Sequence, residues 1–369
     1  MKHVLILYIV QNSGHHTAAR YLEAEFRQQC PDIETRCVNL LAHMHPKWGK
    51  IIEHMYMTTI RRTPELWDAL YDNFWVELLT RRLRKLIQKG KSESLRRLME
   101  EFDPDAVVCT QAYPYSVIAS FAARHGLQLP LLGVTTDFVP HRYWIMNNGC
   151  NARYVVPTEA AAARLMWLGI DEGRIFVFGI PVPANAPATP GESSESRRIL
   201  VMGGGRGLGI RYRTIRRLDR CPNDFTIDVV CGMNRRLQKR LVRNRHTFKH
   251  RVRIRGYVRN AVTLMYRSDL MITKPGGVTL AEAACAGVPL LLVRPLPGQE
   301  AGNTEAMVHQ GAALHIRNEY DVTRSVTTLL NNPKLMLMMR NKALAIARPD
   351  AAGRIVRHVL DLEPEQESA

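Results

Sequence analysis

The 369-residue chain has no apolar run approaching the roughly 20 residues that a membrane-spanning helix needs. Its apolar start, Val4 to Val10, breaks into Gln-Asn-Ser-Gly-His-His without a small-residue cleavage site. That run reads as a first buried strand rather than a secretion signal, and the chain as soluble or peripheral. The seven cysteines (Cys30, Cys37, Cys109, Cys150, Cys221, Cys231 and Cys285) are odd in number and form no CxxC pair. A reducing cytoplasm suits them better than a disulfide scaffold. There is no GxGxxG dinucleotide fingerprint, and Gly90-Lys91-Ser92 fails as a phosphate loop because Lys85 stands where the first glycine belongs. His43 and His45 have no partners at metal-ligand spacing, and Asp103-Pro104-Asp105 leads into a strand instead of leaving one, so it reads as a turn.

Acidic residues are also short: 34 Asp and Glu against 51 Lys and Arg give +17 and a pI near 9.9. Anionic partners follow. The excess is local. Residues 206–267 hold 18 basic against 3 acidic side chains, whereas residues 1–190 hold 21 against 18.

What is present is a steady alternation of short apolar runs and helical stretches, the pattern of an α/β protein with parallel sheets. Strands are expected at His3–Ile9, Glu34–Asn39, Ala106–Thr110, Leu131–Thr135, Tyr154–Pro157 and Ile175–Phe178. A second series runs Arg198–Met202, Thr226–Cys231, Val252–Arg255, Asp269–Thr273 and Pro289–Val293, with helices from Leu208, Asn234 and Val278. Between them, the four prolines of Pro181–Glu195 mark a linker. Two doubly wound, Rossmann-like domains facing a cleft are implied, residues 1–180 and 198–349 joined by 181–197, the first completed by a C-terminal helix at 350–362.

The most informative stretch is Ile272 to Ala283. A strand enters Lys274-Pro275-Gly276-Gly277 and a helix follows at once, which aims bare backbone N–H groups and a helix N-terminus at one point suited to phosphate. Thr279 and Glu282 share a helix face behind that point, and a carboxylate there suits a ribose diol. Met202 to Gly209 places five glycines and Arg206 after another strand, an anion cradle or a loop needing positive φ. Leu296-Pro297-Gly298-Gln299-Glu300-Ala301-Gly302-Asn303 offers adjacent polar side chains to vicinal hydroxyls. In the first half, Ser13-Gly14-His15-His16-Thr17 puts a histidine at a strand-to-helix turn, where it is a candidate general base or a capping residue; His16 is its competitor. Asp137 follows another strand and could orient His15 or an acceptor hydroxyl, while Phe138, Tyr143 and Trp144 line an apolar cleft or simply pack.

Asn234 to Arg245 is a helix with one heavily basic face, either solvated or drawn to anionic lipid headgroups; no stacking aromatics are interleaved, which disfavours nucleic acid. Trp67, Tyr71, Phe74 and Trp75 precede Arg81-Arg82-Leu83-Arg84-Lys85, an amphipathic segment of interfacial type or a core-packing one.

Taken in order, several of these motifs match a known family. They are Gly14-His15 with Ala18-Ala19, Cys109 to Pro114, Thr136-Asp137-Phe138 with His141 and Trp144, and Gly179 to Val182. The second half adds Met202 to Gly205, Cys231 to Asn234, Gly256-Tyr257-Val258, Thr273 to Thr279 with Glu282, and Pro297 to Asn303. The chain resembles the glycosyltransferase family 28 enzymes that build galactosyl- or glucosyl-diacylglycerol. The resemblance implies a GT-B fold and an inverting, metal-independent transfer from UDP-glucose or UDP-galactose to diacylglycerol, at the cytoplasmic face of the membrane and without a cofactor.

By that likeness His15 is the base, with Asp137 beside it. Gly256 to Val258 lie near uracil, Glu282 binds ribose, Gly276, Gly277 and Val278 meet the diphosphate, and Gln299 and Glu300 meet the sugar. Gly204, Gly205, Arg206, Gly232, Asn234, Thr279 and Asn303 complete the donor set; Phe138, His141, Trp144, Trp75, Arg81 and Arg82 serve acceptor and membrane. The rivals are an N-acetylglucosamine transferase acting on a polyprenyl-linked peptidoglycan precursor, a UDP-sugar epimerase, and a non-catalytic basic protein binding membranes or nucleic acid.

Overall fold

A computed structural model describes residues 1–45, 92–145, 152–183, 197–296 and 298–362. Trp75, Arg81, Arg82, the aromatic and basic segment around them and most of the Pro-rich linker lie outside the described residues.

Two six-stranded parallel sheets carry the fold. The first comprises β1 (His3–Tyr8), β2 (Glu34–Asn39), β3 (Ala106–Cys109), β4 (Leu131–Val134), β5 (Ala152–Val156) and β6 (Ile175–Val177), in the order β2-β1-β3-β4-β5-β6. The second comprises β7 (Arg198–Met202), β8 (Thr226–Val230), β9 (Arg251–Arg255), β10 (Leu270–Thr273), β11 (Leu290–Val293) and β12 (Ala313–Ile316), in the order β12-β11-β10-β7-β8-β9. Central strands such as β3, β4, β10 and β11 are buried at every position, which is why they read as unbroken apolar runs. Each sheet is covered on both faces, one core cluster per face.

Strand order reverses between β1 and β3 in the first sheet and between β7 and β10 in the second. Open α/β sheets form a crevice beyond the carboxyl ends of their strands at such reversals. The segments that follow those four strands carry His15, Thr110, Gly204 and Lys274, so each reversal contributes residues to the candidate site.

The C-terminal helix Ala351–Leu360 returns to the first sheet and packs on helix Gly14–Gln29. Ile355, Val356 and Val359 join Leu22 and Phe26 in one core cluster. Another cluster joins Ala18, Phe138 and Ile180 of the first half to Met202, Val278 and Leu280 of the second, so the halves share apolar packing.

Two expectations need correction. The helix expected from Leu208 begins at Tyr212, because Gly207 and Gly209 hold φ of +65° and +86° on either side of Leu208, which breaks any helical path. β12 was not foreseen: it is a four-residue edge strand whose two middle positions are not buried, so it shows no apolar run.

Ile355 is fully buried beneath the first sheet although it lies near the chain's end. Ile355→Ala is expected to lower unfolding free energy by about 2–5 kcal/mol. Urea unfolding followed by circular dichroism measures it; an unchanged midpoint would mean the C-terminal helix is only loosely held.

Candidate functional site

His15 opens helix Gly14–Gln29 in its first turn, behind the N-cap Ser13, whose hydroxyl receives the His16 N–H. Its Nδ1 lies 3.0 Å from the Thr110 carbonyl oxygen and 2.6 Å from Thr136 Oγ1. A carbonyl can only accept, so Nδ1 carries the proton and Nε2 keeps its lone pair. The Thr110 hydroxyl in turn donates to the His15 carbonyl at 2.9 Å. Burial lowers the His15 pKa below 6.5, Asp137 opposes that shift, and Lys274 adds to it. The imidazole is therefore neutral near pH 7, with one basic nitrogen to offer.

Asp137 is buried behind this group. Burial raises its pKa, while His15 and a hydrogen bond from Asn303 hold it down. Among the described contacts the residues that orient the His15 ring are Thr110 and Thr136; Asp137 acts on it through its field. His16 is turned away, its ring tilted against Tyr8 with centroids 4.5 Å apart and its Nδ1 receiving the Asn12 N–H.

Across the cleft, helix Gly277–Cys285 starts behind Gly276, which supplies no side-chain cap, so the first-turn N–H groups have no capping side chain. Lys274 stands beside this turn: a Cβ on Gly276 would lie 3.7 Å from its ammonium, and one on Gly204 3.5 Å from its Cε. The ammonium pairs with Glu300, whose other oxygen accepts the Leu296 N–H at 2.9 Å. Glu282 is buried and receives the Tyr21 hydroxyl at 2.5 Å. Burial drives its pKa up to about 7 despite that hydrogen bond.

One cleft gathers His15, Asp137, Gly204, Gly205, Arg206, Gly232, Tyr257, Val258, Gly276, Gly277, Val278, Thr279, Glu282, Gln299 and Glu300. Its walls come from both halves, which meet closely. A Cβ on Gly277 would fall 1.9 Å from the Thr136 carbonyl oxygen, and one on Gly205 2.9 Å from that of Asn12. Arg206 Nη2 donates to the Gln11 carbonyl at 2.9 Å.

Five of the residues singled out in sequence do not line this cleft. Asn234 caps helix Arg235–Arg243, its Oδ1 accepting the Leu237 N–H and its Nδ2 donating to the Gly207 carbonyl. Asn303 is fully buried and bonded across the halves. Trp144 packs in the first core against Tyr115, and the Tyr154 hydroxyl donates to its carbonyl. Phe138 is buried in the cluster shared by both halves. His141 is buried, which pushes its pKa down to about 3. These aromatics and this imidazole are packing groups, not an open apolar cleft. Asp105 is likewise structural, its Oδ2 accepting the His3 N–H at 2.8 Å.

Sequence reasoning passed over Lys274, Tyr21, Thr110 and Thr136. Lys274 stood inside the quoted turn, and a cation beside two glycines was a usable signal. Gly14, Thr17 and Tyr21 are spaced three and four apart on one helix face, which points Tyr21 toward whatever Gly14 faces. The two threonines act through a carbonyl and a hydroxyl in one case and a hydroxyl in the other, which no spacing rule reveals.

This geometry is accompanied by a clear family relationship. Residues 15–182 match the family model for monogalactosyldiacylglycerol (MGDG) synthase, and residues 198–355 match that for the glycosyltransferase family 28 C-terminal domain. The chain belongs to this family of GT-B glycosyltransferases. Among its curated relatives is the processive diacylglycerol beta-glucosyltransferase of Bacillus cytotoxicus, 28% identical over 368 residues, covering 97% of this chain and 93% of the relative. Of solved structures, Acinetobacter baumannii MurG superposes with a TM-score of 0.63 at 16% identity, covering 98% of this chain and 100% of that one. MnaA of S. aureus, solved with UDP, gives a TM-score of 0.63 at 18% identity, covering 100% and 99%. Those two likenesses establish the fold.

A buried carboxyl that titrates near neutrality binds hydroxyl donors more strongly when ionised. Uridine diphosphate affinity is expected to rise as pH increases through about 7, where Glu282 loses its proton. Glu282→Gln removes that titration. Calorimetry between pH 6 and 8.5 checks it, and an equally steep profile in the variant would reject the assignment.

Proposed function

We propose that the chain is an inverting, metal-independent hexosyltransferase that moves glucose or galactose from a UDP-sugar to diacylglycerol. The observation that carries this reading is the His15 Nε2 lone pair, held by Thr110 and Thr136 in the same cleft as the Lys274–Thr279 turn. The family is one of glycosyltransferases, and the relative from Bacillus cytotoxicus is named for a diacylglycerol acceptor and a beta-glucosyl product. UDP-hexoses are α-linked, so a β product corresponds to inversion; that name favours glucose as the donor sugar here.

In this mechanism an acceptor hydroxyl attacks the anomeric carbon from the face opposite the diphosphate, through an oxocarbenium-like state. His15 Nε2 takes the hydroxyl proton as the bond forms, and the carboxylate of Asp137 favours the resulting imidazolium. Negative charge growing on the departing diphosphate meets the Lys274 ammonium and the first-turn N–H groups of helix Gly277–Cys285. Those fixed donors supply the charge compensation that a divalent cation gives elsewhere, which supports a metal-independent route. Glu282 receives the ribose hydroxyls, Tyr257 at the cleft rim lies against uracil, and Gln299 at the start of its helix meets the hexose.

His15→Ala is expected to keep UDP affinity within about threefold while turnover falls roughly 100-fold or more. The assay is incubation with diacylglycerol and radiolabelled UDP-glucose or UDP-galactose, followed by separation of the lipids. Turnover unchanged in the variant removes His15 as base; no labelled lipid with either donor removes the acceptor assignment.

The enzyme reaches its acceptor as a peripheral protein on the cytoplasmic face of the membrane; among the described residues no helix is long and apolar enough to cross one. Helix Arg235–Arg243 buries only Leu237 and Leu241, leaving Arg235, Arg236, Lys239 and Arg240 exposed. Each such charge contributes about 1 kcal/mol near an anionic surface. Neutralising all four is expected to reduce sedimentation with anionic vesicles at low salt, and salt alone to do the same in the wild type. Equal sedimentation would make these charges a solvated face.

A further inference from the structure

Asn303 lies in helix Gln299–His309 of the second half, fully buried and out of the cleft, yet it touches both halves. Its Oδ1 accepts the Phe138 N–H at 2.7 Å. Its Nδ2 donates one proton to Asp137 Oδ1 at 3.0 Å and the other to the Pro275 carbonyl at 3.1 Å. The Phe138 N–H can only donate and the Pro275 carbonyl can only accept, so the amide orientation is dictated and both N–H donors are used. One side chain therefore joins the Lys274–Gly277 turn, the acceptor-side backbone and the carboxylate that faces His15. Gly302, beside it, lets Val139 approach: a Cβ there would stand 3.1 Å from that side chain.

We infer that Asn303 is a positioning residue that sets the Asp137 carboxylate against His15 only when the two halves are closed, coupling closure to the power of the base. The inference rests on the reading of His15 as base. Asp137 is buried and belongs to the first half; its N–H donor comes from the second, so separating the halves takes the donor away. Without it the ionised carboxylate is harder to sustain, and the imidazolium that forms during transfer loses its counter-charge. Lys274 also faces both His15 and Asp137, Glu300 faces Asp137, and His141 lies near His15; of these, Lys274 and Glu300 arrive with the second half. An open enzyme with donor bound would thus hold a weakened base, which limits wasteful attack by water.

The test uses Asn303→Leu, Asn303→Asp, Asp137→Ala and the double variant Asn303→Leu/Asp137→Ala. Asn303→Leu is expected to lower kcat roughly 10- to 100-fold with the UDP dissociation constant within about threefold, which also shows that the donor half is folded. The double variant is expected to be no slower than Asp137→Ala, because the two residues act in one chain. Asn303→Asp faces Asp137 with a second carboxylate, so its activity relative to wild type should rise as pH falls and the pair shares a proton. Additive losses in the double variant, or an Asn303→Asp ratio flat with pH, would overturn the proposal. A second arm needs no substrate: the His15 imidazole, identified by its absence in His15→Ala, is titrated by NMR. Its midpoint should be higher in Asn303→Asp than in wild type and lower in Asn303→Leu. Identical midpoints sink the coupling even if diacylglycerol proves to be the acceptor, and shifted midpoints uphold it even if another alcohol does.

Discussion

A carbonyl oxygen has no proton to give, and most of the first-half wall of the cleft depends on that. Thr110 leaves β3 beside β1 at the strand-order reversal, and its C=O fixes the His15 tautomer. The lone pair on Nε2 is then a consequence of backbone position, not of a flexible side-chain partner. A histidine placed there would otherwise divide its time between two tautomers and several rotamers, and only one combination presents a base to the cleft. The Thr136 hydroxyl narrows the choice further from the neighbouring strand's end.

The opposite wall works by a different physics. Its cation and its helix N-terminus are held by β10, a fully buried strand, so they cannot relax away from a charge that appears transiently. Lys274 is kept in place by Glu300 from the first turn of helix Gln299–His309, which pairs with its ammonium beside the glycines. Between the walls lie groups displaced from their ordinary pKa values in useful directions: His15 down, Glu282 up, both driven first by burial. The Tyr21–Glu282 hydrogen bond ties the second of these groups to the first half of the chain.

The sheets were legible in the sequence because buried parallel strands are unbroken apolar runs, and because glycine-rich turns announce where they end. The cleft lining was legible for a related reason: the segments after β1, β7 and β10 follow strand ends at the two reversals, where open sheets form crevices. What escaped was of two kinds. β12 lacks the burial that makes a pattern, and the Leu208 region has helical residues interrupted by two positive-φ glycines. Trp144 and Asn303 were misassigned for a deeper reason. An aromatic or amide next to a functional motif looks the same in sequence whether it faces ligand or packs behind the residue that does.

The glycines make the same point in reverse. In sequence they read as an anion cradle, but their crowding differs from one to the next. Gly203 has no room for a Cβ because its own loop folds back, with the Leu208 carbonyl 2.2 Å from where it would sit, and Gly207 has none because the segment after β8 crosses it, with the Cys231 carbonyl at 1.9 Å. Gly205 and Gly277 have none because the first half presses on them, through Asn12 and Thr136. Gly204 and Gly276 meet nothing nearer than Lys274, at 3.5 and 3.7 Å. A single glycine-rich composition therefore serves turn formation, domain contact and ligand approach at once. The middle role makes the cleft narrow enough for the His15 imidazole and the Lys274–Gly277 turn to face the same space.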